Sequence, residues 1–197
     1  MDKHGVFLIS EDYLRDFLIK YGKGPDSKDY EFVAALYMIE NMQKANGGTY
    51  TAVFDLKDGR ADIRRAFKPS PEETEQIMRN LLKEDTPVDF GLVRGTVDDH
   101  EKYALGFQVK RFIGKSVGAF TEDLLKYIEK IANRYRPGEI NLVVIAELDG
   151  NLEKLKASVN TKRIKDEIII PQDSFIGIFV LTHDGEKPSL VQIWPKI

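Results

Sequence analysis

Length, composition and charge exclude several classes of protein at the outset. The 197 residues include no cysteine, which rules out disulfides, thiolate-ligated zinc and a cysteine nucleophile, and fits a cytoplasmic location. Lys and Arg number 29 against 32 Asp and Glu, a net charge of −3, which counts against a dedicated basic nucleic-acid binder but not against an enzyme with an acidic metal site. No apolar run approaches the ~20 residues of a membrane span, and the stretch V-F-L-I at residues 6–9 is too short for a secretory leader. The chain is therefore read as a single domain, residues 1–197.

In chain order, Ser10 is placed to cap a helix with Glu11 and Asp12 in its first turn, and Gly22 to end it. A second helix is predicted from Asp26 or Ser27 to about Ala45. Phe32, Leu36 and Ile39 form its apolar stripe and Asn46-Gly47-Gly48 its stop. Residues 49–56 are β-rich, and the turn Lys57-Asp58-Gly59-Arg60 predicts a hairpin with residues 61–67. Ser70-Pro71-Glu72-Glu73 opens a further helix.

Two strands follow, at about 88–94 and 103–112, joined by a polar loop. The first raises Asp89 out of an apolar run, where an acid is unusual. In the second, period-two alternation places Gln108 and Lys110 on one face and Leu105, Phe107 and Val109 on the other. Residues 114–118 are read as a linker before a strongly periodic helix through Phe120, Leu124, Ile128 and Ile131, stopped at Arg136-Pro137-Gly138. Residues 140–148 form a near-continuous apolar strand, which predicts parallel pairing through a helical crossover. Residues 151–165 are predicted to be helical at first, 168–170 extended, and 175–182 with 190–194 a terminal hairpin. The fold class is α/β (α+β), with a central mixed β-sheet flanked by helices.

An acid on one strand and Gln-x-Lys on the next suit metal-assisted phosphodiester hydrolysis. Magnesium or manganese takes hard oxygen ligands, and one or two carboxylates suffice beside water. Asp89 offers a carboxylate, Gln108 an amide carbonyl and Val109 a backbone carbonyl, while Lys110 can steady an attacking water or the charge on phosphate. A helix-borne glutamate, Glu31 or else Glu40, completes the set, with Asp55 and Asp62 as rival acids. Glu31 also has a simpler reading, as a first-turn acid favoured by the helix dipole, and the face bearing Gln108 and Lys110 can be read as merely solvated. The three histidines, His4, His100 and His183, have no metal-binding spacing and are read as surface residues.

Asp89 followed by Q-V-K-R-F at residues 108–112 resembles the PD-(D/E)xK nuclease superfamily, and is most similar to the Gln-x-Lys pattern of Mrr-type restriction endonucleases. The resemblance covers about residues 29–148. It implies a restriction endonuclease-like three-layer core, with residues 57–86 as an insertion and 149–197 as an extension of the sheet. It also implies a Mg2+- or Mn2+-dependent endonuclease acting on DNA, with a homodimer as an expected assembly. Asp89, Gln108, Lys110 and Glu31 would be its catalytic residues, Asp89, Gln108 and Val109 its metal ligands, and Arg111 and Lys115 would contact nucleic acid. The sequence departs from the pattern by an extra residue between Pro87 and Asp89, and by Gln108 where an acid is usual, which lowers the ligand charge. The alternative is a catalytically inactive protein of the same fold that serves as a nucleic-acid- or protein-binding module.

Overall fold

The computed structural model describes residues 4–21, 30–57, 70–72, 75, 88–112, 114–132, 142–148, 175–182 and 189–194. The chain divides into two compact units, Met1–Gln108 and Val109–Ile197. Its elements are mixed α and β. In the first unit these are β1 (His4–Ile9), α1 (Glu11–Tyr21), α2 (Tyr30–Asn46), β2 (Tyr50–Lys57), β3 (Phe90–Gly95) and β4 (His100–Arg111), the last running past the unit boundary. In the second they are α3 (Val117–Ala132), β5 (Leu142–Leu148), β6 (Phe175–Thr182) and β7 (Ser189–Trp194). No described helix is long and apolar enough to cross a membrane.

The first unit carries four strands in the order β1-β2-β3-β4, every adjacent pair antiparallel. Strand β1 has no counterpart in the sequence reading. Its unbroken V-F-L-I run shows no alternation because both neighbouring faces bury it, with Val6, Phe7, Leu8 and Ile9 all buried. One face packs Val6 and Leu8 with Val53 and Val93, with Val88 and Val97 against the edge of that cluster.

The other core feature is a run of phenylalanines. Phe17 of α1 meets Phe32 of α2 edge-on at 4.9 Å, and Phe32 meets Phe54 of β2 at 4.7 Å. Phe54 stacks on Phe90 at 5.5 Å, and Phe90 on Phe107 at 4.9 Å with ring planes only 5° apart. Phe90 and Phe107 are directly paired across β3 and β4. These geometries are the edge-on and offset arrangements that the ring quadrupole favours, each contributing about 0.5–1.5 kcal/mol beyond burial.

Helix boundaries follow local chemistry. The Ser10 hydroxyl accepts from the Tyr13 N–H at 3.3 Å, as a capping residue should. Helix α2 ends where Gly47 and Gly48 take φ of +67° and +83°, with the Gly47 N–H donating to Gln43 O at 2.9 Å. In the second unit the helix begins earlier than predicted. Ser116, within the expected linker, caps α3 through the Ala119 N–H at 3.3 Å. Phe120 packs edge-on to Phe112 at 5.1 Å, and Leu124 and Ile128 are buried along the same stripe. Strand β5 pairs with β6 in parallel, and β6 with β7 antiparallel, so the terminal hairpin forms as predicted. The expected return strand at 61–67 and the segments at 151–165 and 168–170 lie outside the described residues. Strand β2 takes β1 and β3 as its neighbours.

The loop between β3 and β4 is shorter than predicted, because β4 extends back to His100 and leaves only residues 96–99 as the turn. Gly95 makes that turn possible. Its φ is +121°, and a Cβ there would lie 2.3 Å from Asp99 O and 2.5 Å from His100 Cα. The Gly95 N–H donates to Thr49 O, and its carbonyl accepts from the Thr51 hydroxyl, both at 2.8 Å. Gly95→Ala is expected to cost about 2–3 kcal/mol in urea denaturation, from backbone strain and the displaced turn. Phe90→Ala is expected to cost about 3–5 kcal/mol by the same measurement, because it empties a fully buried site in the middle of the aromatic run.

Candidate functional site

The polar residues singled out by the sequence come together in part. Asp89 does not stand within a strand, as expected. It occupies a bend one residue before β3, with its N–H donating to Phe107 O at 2.8 Å. An acid in mid-strand would meet the apolar packing on one face or the other. In the bend, its backbone N–H still joins the ladder without setting an acid among the apolar residues of the strand. Gln108, only 5% exposed, donates its side-chain N–H to Asp89 Oδ2. The partner assignment follows from chemistry, since an ionised carboxylate only accepts.

Glu31 stands in the first turn of α2, half-buried. Burial, and then the charge of Asp89, push its carboxyl up to about 7, while a side-chain hydrogen bond from Tyr30 acts in the opposite direction. The charge of Asp89 thus reaches Glu31, and the neutral amide of Gln108 donates to Asp89. Tyr30 was not anticipated. The only sequence sign of it is its position as the aromatic neighbour of Glu31 at a helix start.

The three polar residues share one feature of sequence. Each is the immediate chain neighbour of a phenylalanine in the buried run, giving Glu31-Phe32, Asp89-Phe90 and Phe107-Gln108. Packing of the rings thus sets where the polar groups emerge.

The remaining candidates lie elsewhere. Glu40 is nine residues along α2 from Glu31, about 13 Å at 1.5 Å per residue. It pairs with Arg15 at 2.9 Å, and Arg15 also holds Glu11 at 2.6 Å. Glu40 thus joins α1 to α2, and Glu31 is the glutamate beside Asp89. Asp55 pairs in backbone register with Val6, but its side chain, like all of Asp62, lies outside the described residues.

Lys110 belongs to the second unit, where its ammonium lies 4.8 Å from the centre of the Tyr127 ring on α3. A ring face thus supplies a partner for the half-buried amine. Val109 is buried. Arg111 is exposed, and Lys115 forms an ion pair with Asp123, whose carboxyl it holds below the ordinary range. His100 corrects the surface reading of the histidines. It opens β4 half-buried, with Nδ1 shielded and without a hydrogen-bond partner among the described residues.

The donor set suits a hard divalent cation in a minimal way. Mg2+ binds through one or two carboxylates with water completing the octahedron, and Glu31 with Asp89 supplies that number. Among the described residues no group of three or more His, Cys, Asp or Glu is placed to hold a metal ion. Compared with family models, with curated proteins and with solved structures, the chain matches none.

The raised carboxyl of Glu31 has a direct consequence for stability. Its folded value lies above the unfolded one, so the folded protein binds the extra proton between about pH 4.5 and about 7. The favourable contribution is complete below the unfolded value and is lost as pH rises through the folded one. A shift of this size corresponds to roughly 3 kcal/mol at most. Unfolding in urea at pH 5 and pH 8 is expected to show wild type losing stability with rising pH. Glu31→Gln should flatten that slope and be the more stable protein at pH 8.

Proposed function

We propose that this chain is a metal-dependent nuclease with a restriction endonuclease-like core, hydrolysing phosphodiester bonds in DNA with Mg2+ or Mn2+. One observation carries the reading: the charge of Asp89 reaches the half-buried Glu31 and raises its carboxyl, while Asp89 itself accepts from the neutral amide of Gln108. Two acids within electrostatic reach of one another form a seat for a cation. The helix α2 that carries Glu31, and the antiparallel pair β3 and β4 that leads from Asp89 to Gln108, support the reading.

In hydrolysis, water forms a bond to phosphorus, one P–O ester bond breaks, and the departing oxygen takes up a proton, leaving a phosphate monoester and a hydroxyl. A bound Mg2+ would polarise the phosphoryl oxygen and lower the pKa of water. Glu31 and Asp89 would hold it, with Asp89 fixed in direction by Gln108. By the sequence resemblance, Lys110 takes the role of steadying the water or the charge that develops on phosphate.

A second reading, an inactive protein of this fold that binds nucleic acid or protein, is favoured by a specific observation. The acid set among the described residues stops at two, and one oxygen of Asp89 is already engaged by Gln108.

Incubation of the purified protein with linear and supercoiled DNA is expected to give cleavage that requires Mg2+ or Mn2+. Lys110→Ala should abolish cleavage while leaving the unfolding curve close to wild type. Mn2+ should raise the Tm of wild type and not that of Asp89→Ala. Absence of cleavage together with absence of any Mn2+-dependent Tm shift would overturn the nuclease reading in favour of the binding module.

A further inference from the structure

We propose that Gln108 is a positioning residue for Asp89 rather than a ligand of the metal, an inference that rests on the reading of the acid pair as a cation site. The sequence pattern assigns Gln108 to the metal because its amide carries a carbonyl. The structure presents the other end of the amide to the site, since the side-chain N–H of Gln108 donates to Asp89 Oδ2. Burial adds weight to the contact. Gln108 is 5% exposed, so its amide must find hydrogen-bond partners inside the fold.

Asp89 lies in a bend just outside β3, with its backbone N–H bonded to Phe107 O at 2.8 Å. Gln108 stands opposite it across the β3–β4 pair, next to the Phe90–Phe107 register position, and fixes the direction of one carboxylate oxygen.

The choice of an amide also has an electrostatic logic. An arginine or lysine at this position would hold Asp89 equally well, but its charge would neutralise the acid and compete with a divalent cation. A glutamate would repel Asp89 and would have no N–H to give. Glutamine alone among these donates a hydrogen bond while leaving the negative charge of the Glu31–Asp89 pair in place. It acts as the outer support of a metal-binding carboxylate, a role whose loss typically weakens metal affinity about 10–100-fold.

The test is the affinity of the purified full-length protein for Mg2+ alone, by calorimetry at pH 8.5, in wild type, Gln108→Leu and Gln108→His. Circular dichroism confirms that each variant folds. Leucine matches the shape of glutamine without its amide. A neutral histidine restores an N–H for Asp89 but offers Mg2+ a nitrogen, which it accepts poorly. The expected result is an affinity weakened at least about tenfold in Gln108→Leu and returned to within about threefold of wild type in Gln108→His. In metal-free protein, the Tm loss caused by Gln108→Leu should shrink when Asp89 is already alanine, which a side chain acting only through general packing would not show. Equal loss of Mg2+ binding in both variants would identify the carbonyl as a ligand, and unchanged binding in Gln108→Leu would remove any role; either overturns the proposal while the cation site stands. A wild type that binds no Mg2+ removes the site itself, and the proposal with it.

Discussion

The contact between Phe90 and Phe107 governs the first unit. These two rings are fully buried, nearly coplanar and directly paired across neighbouring strands. Their stacking sets the register of β3 on β4, because a slip of one residue would send the rings to opposite faces. From them the run continues through Phe54 and Phe32 to Phe17, tying three strands and two helices into one buried series. The polar trio depends on the same series. With Phe32, Phe90 and Phe107 fixed, their neighbours Glu31, Asp89 and Gln108 have little freedom in where their backbones lie.

Much of the scaffold was legible in the sequence, and the reasons are local. Ser10 and the Asn46-Gly47-Gly48 stop act within a turn of chain, so capping and left-handed backbone rules locate them. Strand β6 matches its prediction at both ends, because a short β-branched and aromatic run bounded by polar segments has few other solutions. Strand β1 was missed because a continuous apolar run carries no periodicity to read. Asp89 was placed inside a strand because sequence alone does not tell where a hydrogen-bonded ladder begins.

The candidate site divides along the same line. The pattern of an acid and Gln-x-Lys named Asp89, Gln108 and Lys110 through spacing alone. The approach of Glu31 to Asp89 depends on how α2 lies on the sheet, and no local rule contains that. Choosing Glu31 over Glu40 required the ion pair of Glu40 with Arg15, a contact between helices. The pairing of Lys115 with Asp123 spans eight residues across a helix start, and so escaped the rule that neighbours on a helix lie three or four apart. The direction of the Gln108 amide was equally invisible, since glutamine reads in sequence as donor and acceptor alike.

The doublets Glu31-Phe32, Asp89-Phe90 and Phe107-Gln108 bear on how such a chain can change over time. A polar residue and its aromatic neighbour are usually free to drift separately, one under selection for chemistry and the other for packing. Here the two demands fall on adjacent codons in three places. Shortening a ring to leucine would leave the acids and the amide intact in sequence while loosening the backbone that presents them. Tolerance to substitution in this protein should therefore be lowest in pairs of consecutive residues, and a change in either member would favour a compensating change in the ring packed against it from the neighbouring element rather than in its own neighbour.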